Sequence, residues 1–228
     1  MEPSETHGTD YGKPADPSVA SYAEEERALL DAVMGCECRT VQAVANLVAF
    51  YHRIGRQELA QAYADRLLGG SEDLNERAGR LFMLGIAMEG VWQFAEAAAY
   101  YRQGLMLEPG DPDLWYFLQN NLGYSLNQLG DFQTAEDFCR RAIEVNSARH
   151  NAHKNLGVAL AGQGQYREAI TSLLTAAEAC PQDPRALRHI EEILVGQPEL
   201  LSGEPALGAR LDLCRQRVGK PTGQEGRP

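Results

Sequence analysis

Two stretches decide how this chain folds: QNNLGYSLNQLGDFQTAEDFCRRA at residues 119–142 and HKNLGVALAGQGQYREAITSLLTA at residues 153–176. With an offset of 34 residues, Leu122 falls on Leu156, Gly123 on Gly157, Leu126 on Leu160 and Gly130 on Gly164. Ala135, Cys139 and Ala142 then fall on Ala169, Leu173 and Ala176. One matching glycine means little, but seven coincident places in neighbouring segments mark a structural repeat. Each copy reads as two antiparallel helices, reversing at Gly130-Asp131 and at Gly164-Gln165. Small residues at Gly123, Ala135, Gly157 and Ala169 let the paired backbones approach, and leucines at 122, 126, 156, 160 and 173 fill what remains.

Working outward, an earlier copy has Leu81, Leu84-Gly85, Met88, Ala97, Tyr101 and Pro109, and a weaker one has Val44, Leu47-Val48, Tyr51, Gly55, Ala60 and Ala64. A final copy opens with Leu187, Ile190-Glu191 and Leu194 and then loses the pattern. The set resembles the tetratricopeptide repeat family, whose pattern is W-x2-L-G-x2-Y, then A-x3-F, then P. Residues 40–195 carry the resemblance, with Gln119 and His153 where the pattern has its large first residue. It implies an all-α fold: a right-handed superhelix of antiparallel helix pairs, an α-solenoid. The reference places Val48, Gly85, Gly123, Gly157 and Glu191 step by 37, 38, 34 and 34 residues. The two longer steps need extra residues in connections or lengthened helices. Gly69-Gly70-Ser71 is a candidate loop inside the first, and Pro109-Gly110-Asp111-Pro112 a candidate turn inside the second.

Expected helices run over 19–34, 40–54, 56–68, 73–89, 93–107, 112–129, 131–145, 150–163, 165–179, 184–195 and 204–218. Asp111 before Pro112 and Asp183 before Pro184 are expected N-terminal caps. The repeat domain is expected over 18–218, with copies near 41–74, 78–111, 116–149 and 150–183 and a degenerate terminal copy over 184–218. Leu207, Leu211, Leu213 and Cys214 suit a helix covering one open end, and Tyr22, Leu29, Leu30 and Val33 suit one covering the other. The tails 1–17 and 219–228, polar or rich in proline and glycine, are expected to be disordered.

Composition narrows the partners. A formal charge of −11 over 228 residues disfavours nucleic-acid phosphates and anionic lipid headgroups as main partners. No stretch approaches the length needed to cross a bilayer, and residues 1–18 lack the basic start and apolar run of a secretory signal. The cytoplasm is the expected location. Cys36 and Cys38 form a C-x-C pair without further ligands at zinc-module spacing, and Cys139, Cys180 and Cys214 stand apart, so ordinary thiols are expected and no metal. Nothing resembles an isolated heptad seam, which leaves a monomer or a weak homodimer.

No catalytic constellation or cofactor motif is present. His7, His52, His150, His153 and His189 belong to no H-E-x-x-H, and the phosphate-cradling G-x-x-x-x-G-K-[ST] is absent. His150 and His153 share a helix face, which leaves a base or metal ligand conceivable. A helix start for His150 and the large packing place for His153 account for both without chemistry. Glu24-Glu25-Glu26 reads as a solvated face, because consecutive helix residues do not face one another.

The residues left over point to a binding groove. Equivalent places on the first helices carry Asn46, Asn121 and Asn155, with Met83 in the middle copy and His189 in the last. Asparagine is costly inside a helix unless hydrogen bonding gives it a use. In similar tetratricopeptide scaffolds asparagines here line the inner surface and bind peptide backbone, so the resemblance implies a broken asparagine ladder. Asn120, Tyr124 and Asn127 neighbour Asn121, with Tyr124 and Asn127 extending the same broad face. Lys154 adjoins Asn155, and Arg185 and Arg188 begin the next first helix, with Arg188 stacked 34 residues after Lys154. Lys/Asn/Arg sets of this kind form carboxylate clamps in the family, and this chain matches them in part. The expected partner is a protein or peptide bearing an acidic side chain or C-terminal carboxylate. The same asparagines have a structural use as links between helices, and the cations one as counter-charges to glutamates. An architectural subunit with a dispensable groove is therefore the standing alternative, with a small enzyme built across the repeats behind it.

Overall fold

The computed structural model describes residues 19–34 and 41–217. The two tails and the Cys36/Cys38 pair lie outside the described residues. Eleven α-helices follow one another, with no strand among the described residues. They are α1 (Val19–Met34), α2 (Val41–Arg53), α3 (Gln57–Leu68), α4 (Leu74–Gly90), α5 (Phe94–Met106) and α6 (Pro112–Gln128). Then come α7 (Phe132–Val145), α8 (His150–Gly162), α9 (Tyr166–Ala179), α10 (Arg185–Gly196) and α11 (Pro205–Arg217). A short 3-10 turn over Pro198–Leu201, which the sequence reading did not anticipate, separates the last two. The expected helices differ from these by at most one residue at either end.

Helices α2 to α9 pack as consecutive hairpins, each stacked on the next. Glycines set the crossings. A Cβ placed on Gly123 would sit 2.6 Å from Cys139 Sγ and 3.3 Å from the Ala135 carbonyl oxygen. On Gly157 it would sit 2.5 Å from Leu173 and 3.1 Å from the Ala169 carbonyl oxygen, the same contact one repeat later. No real side chain tolerates such distances, so these crossings exist because the side chain is missing.

The longer steps come from helices rather than loops. α4 and α6 have 17 residues, whereas α2 and α8 have 13. Each long helix starts about one turn earlier relative to its crossing residue. Asp111 takes the N-cap of α6, its carboxylate accepting from the backbone N–H of Asp113 (2.9 Å) and Leu114 (3.5 Å), with Pro112 next. The expected cap at Asp183 is displaced: Pro184 takes the N-cap place of α10, and Asp183, one residue earlier, accepts from the backbone N–H of Arg185 at 3.0 Å. At the first junction α2 packs directly on α4, and α3 meets α4 only marginally. Arg80 ties the intervening loop by donating to the Leu67 carbonyl at 2.6 Å.

Both ends are covered. Val33 of α1 is buried, and Tyr22, Leu29 and Leu30 pack against the same core as α2. Of the three glutamates read as a solvated face, Glu24 is exposed, whereas Glu25 and Glu26 are engaged. Glu25 pairs with Arg53, and Glu26 accepts from the Tyr51 hydroxyl at 2.9 Å and lies 3.6 Å from Arg56. Their partners lie a helix away in sequence, beyond any neighbour rule. At the other end Leu211 and Cys214 of α11 are buried, and Arg210 donates twice to Glu178 of α9 at 2.7 and 2.8 Å.

Candidate functional site

The first helices of the late hairpins, α6, α8 and α10, line a cleft of about 770 Å³. Tyr124, Asn127, Lys154, Asn155, Arg185, Arg188 and His189 all border it, so seven of the residues singled out in the sequence meet at one place. Asn46 does not: it is exposed on α2, where it accepts from Gln42 at 2.7 Å. Asn120 and Asn121 are engaged elsewhere. Asn120 donates to Asn121 at 2.8 Å, and Asn121 donates to the Tyr101 hydroxyl at 3.5 Å. Asn155 reaches across from α8 to donate to the Asn120 side-chain oxygen at 3.1 Å. This chain of amides links adjacent hairpins.

Tyr101 in turn bonds Glu89, which also accepts from the Ser125 hydroxyl at 3.0 Å. Burial pushes the Glu89 carboxyl up to about 7 against the pull of those two hydrogen bonds. Sequence reading missed Glu89; a carboxylate four residues past the crossing glycine, on the inward side of α4, was its only signal.

Two buried groups border the cleft with incomplete pairing, one lacking a counter-ion and one a hydrogen-bond donor. Lys154 is only 7% exposed, and among the described residues it has no ion pair. Burial, with Arg185 adding repulsion and Asp183 partly offsetting it, lowers its ammonium to about 8. Asn127, also 7% exposed, donates its amide N–H to the Asn155 carbonyl at 2.8 Å, which fixes its orientation. Its Oδ1 is then left buried with no hydrogen-bond donor among the described residues.

The remaining charges are shared with neighbours. Arg185 grips Asp183 at 2.7 to 3.1 Å, which strengthens the guanidinium's hold on its proton and keeps the Asp183 carboxyl well below the usual range. His150 lies 3.3 Å from the same Asp183, and burial lowers its proton affinity. His189 meets Glu192 at 3.0 Å on the cleft edge, while Arg188 is exposed beside it. His153 contacts the Ser147 carbonyl at 2.9 Å, away from His150's partner. Among the described residues no group of three His, Cys, Asp or Glu could hold a metal. Cys139 is fully buried, its thiol pushed up to about 12. No described helix is long and apolar enough to cross a membrane.

The cleft also has an apolar wall. Trp92 borders it, standing edge-on to Phe94 at 5.8 Å, and Phe94 stands edge-on to Tyr124 at 6.0 Å. Phe132 lies under Gly162, where an added Cβ would sit 2.4 Å from the ring.

Hairpins of this size, with glycine at each late crossing and a polar inner face, define a helical-repeat protein. The tetratricopeptide repeat profile matches residues 83–148 and 120–184, and these residues are tetratricopeptide repeats. Over 104 residues it is 32% identical to human tetratricopeptide repeat protein 7A, covering 46% of this chain and 12% of that much longer protein. Among solved structures, BtubC from P. vanneervenii aligns over 92% of this chain and 94% of its own, with a TM-score of 0.58 and 17% identity. YrrB, a tetratricopeptide protein with an unusual peptide-binding site, aligns over 87% and 93%, with a TM-score of 0.51 and 20% identity.

Proposed function

We propose that the chain is a non-catalytic interaction scaffold whose cleft holds an extended protein or peptide segment carrying an acidic side chain or a C-terminal carboxylate. The observation that carries this reading is a pair of groups bordering the cleft: the buried Lys154 ammonium, without an ion pair among the described residues, and Asn127 Oδ1, buried without a hydrogen-bond donor. Burying a charge or an acceptor without a partner is unfavourable, and a bound peptide supplies both partners: a carboxylate for Lys154 and a backbone N–H for Asn127. Arg188 extends the cationic edge for a second charge-assisted contact. The cation-rich site lies in a chain of net charge −11, so it selects ligands locally. YrrB, similar in fold, carries a peptide-binding site on the same architecture.

The architectural reading draws on a different observation, the amide chain from Asn155 through Asn120 to Asn121. It accounts for those asparagines and leaves Lys154 and Asn127 Oδ1 unexplained. Titration calorimetry with acidic peptides, free or amidated at the C-terminus, tests the choice. Lys154→Met is expected to lower affinity about tenfold or more, and Lys154→Met/Arg188→Ala further, with the loss larger at low salt. Unchanged affinity in a folded Lys154→Met protein would place recognition elsewhere.

A further inference from the structure

Four reversals between paired helices share one hydrogen-bond pattern. Arg56, Gln93, Asp131 and Gln165 each donate a backbone N–H to the carbonyl five residues back, on Tyr51, Met88, Leu126 and Leu160, at 2.9 to 3.0 Å. This closure needs the preceding residue in the left-handed region, where glycine has no penalty. Gly55, Gly130 and Gly164 fill it with φ of 76°, 78° and 76°. The fourth place holds Trp92, with φ of 64°. A bulky residue there is a true conformational outlier, and such strain persists where the surroundings hold it and where it serves a site. Trp92 and Gly130 both border the cleft, and of the two only Trp92 brings a side chain to it.

Resting on the peptide-cleft reading above, we infer that Trp92 is a specificity-determining contact: its indole receives a large apolar or aromatic side chain next to the ligand's carboxylate. Placement and composition agree. Trp92, Leu129 and Phe132 give the cleft an apolar side, while Lys154, Arg185 and Arg188 give it a cationic one. Phe94 stands edge-on to the indole and is itself backed edge-on by Tyr124, so the ring rests on a packed aromatic row. A purely acidic segment would use one side only. A segment with an aromatic residue one or two places from a carboxylate uses both, and the aromatic contact adds to affinity beyond the area buried.

The test uses the full chain and two synthetic peptides with free carboxy-termini, one ending Phe-Asp-Asp and its twin ending Ala-Asp-Asp. The parent protein is expected to prefer the first by about tenfold. In Trp92→Gly that preference should fall to about twofold or less, with thermal stability equal to or above the parent, because glycine relieves the left-handed strain. A tryptophan serving only the fold gives the reverse: lower stability and an unchanged preference. In Trp115→Phe, Trp92 is the chain's only tryptophan, and its emission should shift with the Phe peptide and not with the Ala peptide. A preference that survives Trp92→Gly, or emission that ignores the Phe peptide, overturns the inference and leaves the cleft reading standing. If neither peptide binds the parent at millimolar concentration, the cleft reading falls and this inference with it.

Discussion

The α2–α3 hairpin and the α8–α9 hairpin are built to one plan, and their first helices have the same 13 residues. At the crossing, however, α8 has Gly157, where a Cβ would clash, and α2 has the fully buried Val48. Three residues earlier α8 has the buried Lys154 and α2 the buried Ala45. Two residues before the crossing, Asn155 is buried in hydrogen bonds across hairpins, while Asn46 is exposed. The early hairpin is thus an ordinary apolar junction. The late one brings its backbones closer and spends the inner face on polar groups, which is where the cleft lies. Repeat regularity marks tight nesting, and polar burial marks use.

The comparison breaks most directly at the crossing. Gly157→Leu is expected to lose about 3 kcal/mol in urea unfolding, because even its first carbon collides with Leu173 and the Ala169 carbonyl. Val48→Leu, at the same place in the early hairpin, should cost about 1 kcal/mol. Equal losses would show that the two crossings have the same spacing.

The polar interior can be probed at Glu89, whose place in α2 is taken by His52. The folded chain releases the Glu89 proton at about 7, and the unfolded chain releases it near 4.5. Between those values the folded state binds the extra proton, so this group's contribution to stability is lost as pH rises from 4.5 to 7. Glu89→Gln keeps a neutral acceptor for Ser125 and Tyr101. At pH 8 it should exceed the parent by about 2 kcal/mol, with the advantage vanishing by pH 4.5, in thermal melts followed across pH.

The smallest expected effect is at Lys154. Its ammonium is held at about 8 when folded and at 10.5 when solvated, so the unfolded chain binds more protons between them. Parent stability should therefore rise as pH climbs from 8 to 10.5. Lys154→Met should be more stable than the parent by about 1 kcal/mol at pH 7, with the gain shrinking across that window. Gaining stability while losing ligand is the opposite of what an ordinary core residue does.

The sequence made the helices legible because each hairpin repeats its own glycine, alanine and leucine spacing, and Asp111 and Pro112 announce their helix start. It also brought Lys154, Asn155, Arg185 and Arg188 together, since a 34-residue step stacks equivalent places. Two features were out of reach. Whether Asn120 and Asn121 face a ligand or each other depends on side-chain torsions and on Tyr101, which lies on the preceding helix. Trp92 drew no reading from the sequence; only its backbone angle, at a place where the other reversals have glycine, and its position at the cleft give it a meaning. The pairing of Glu25 and Glu26 with α2 was hidden for the same reason: the partners are set by packing, not by spacing.

A lysine amine that gives up its proton near 8 is also a nucleophile under ordinary conditions. At pH 7 about a tenth of Lys154 side chains carry a bare lone pair, against about three in ten thousand for a solvated lysine. A mild acylating reagent should therefore mark this position ahead of Lys13 or Lys220. Because Lys154 is otherwise buried and borders the cleft, a bound segment should shield it, and mass-spectrometric loss of that mark would footprint occupancy without any label on the partner.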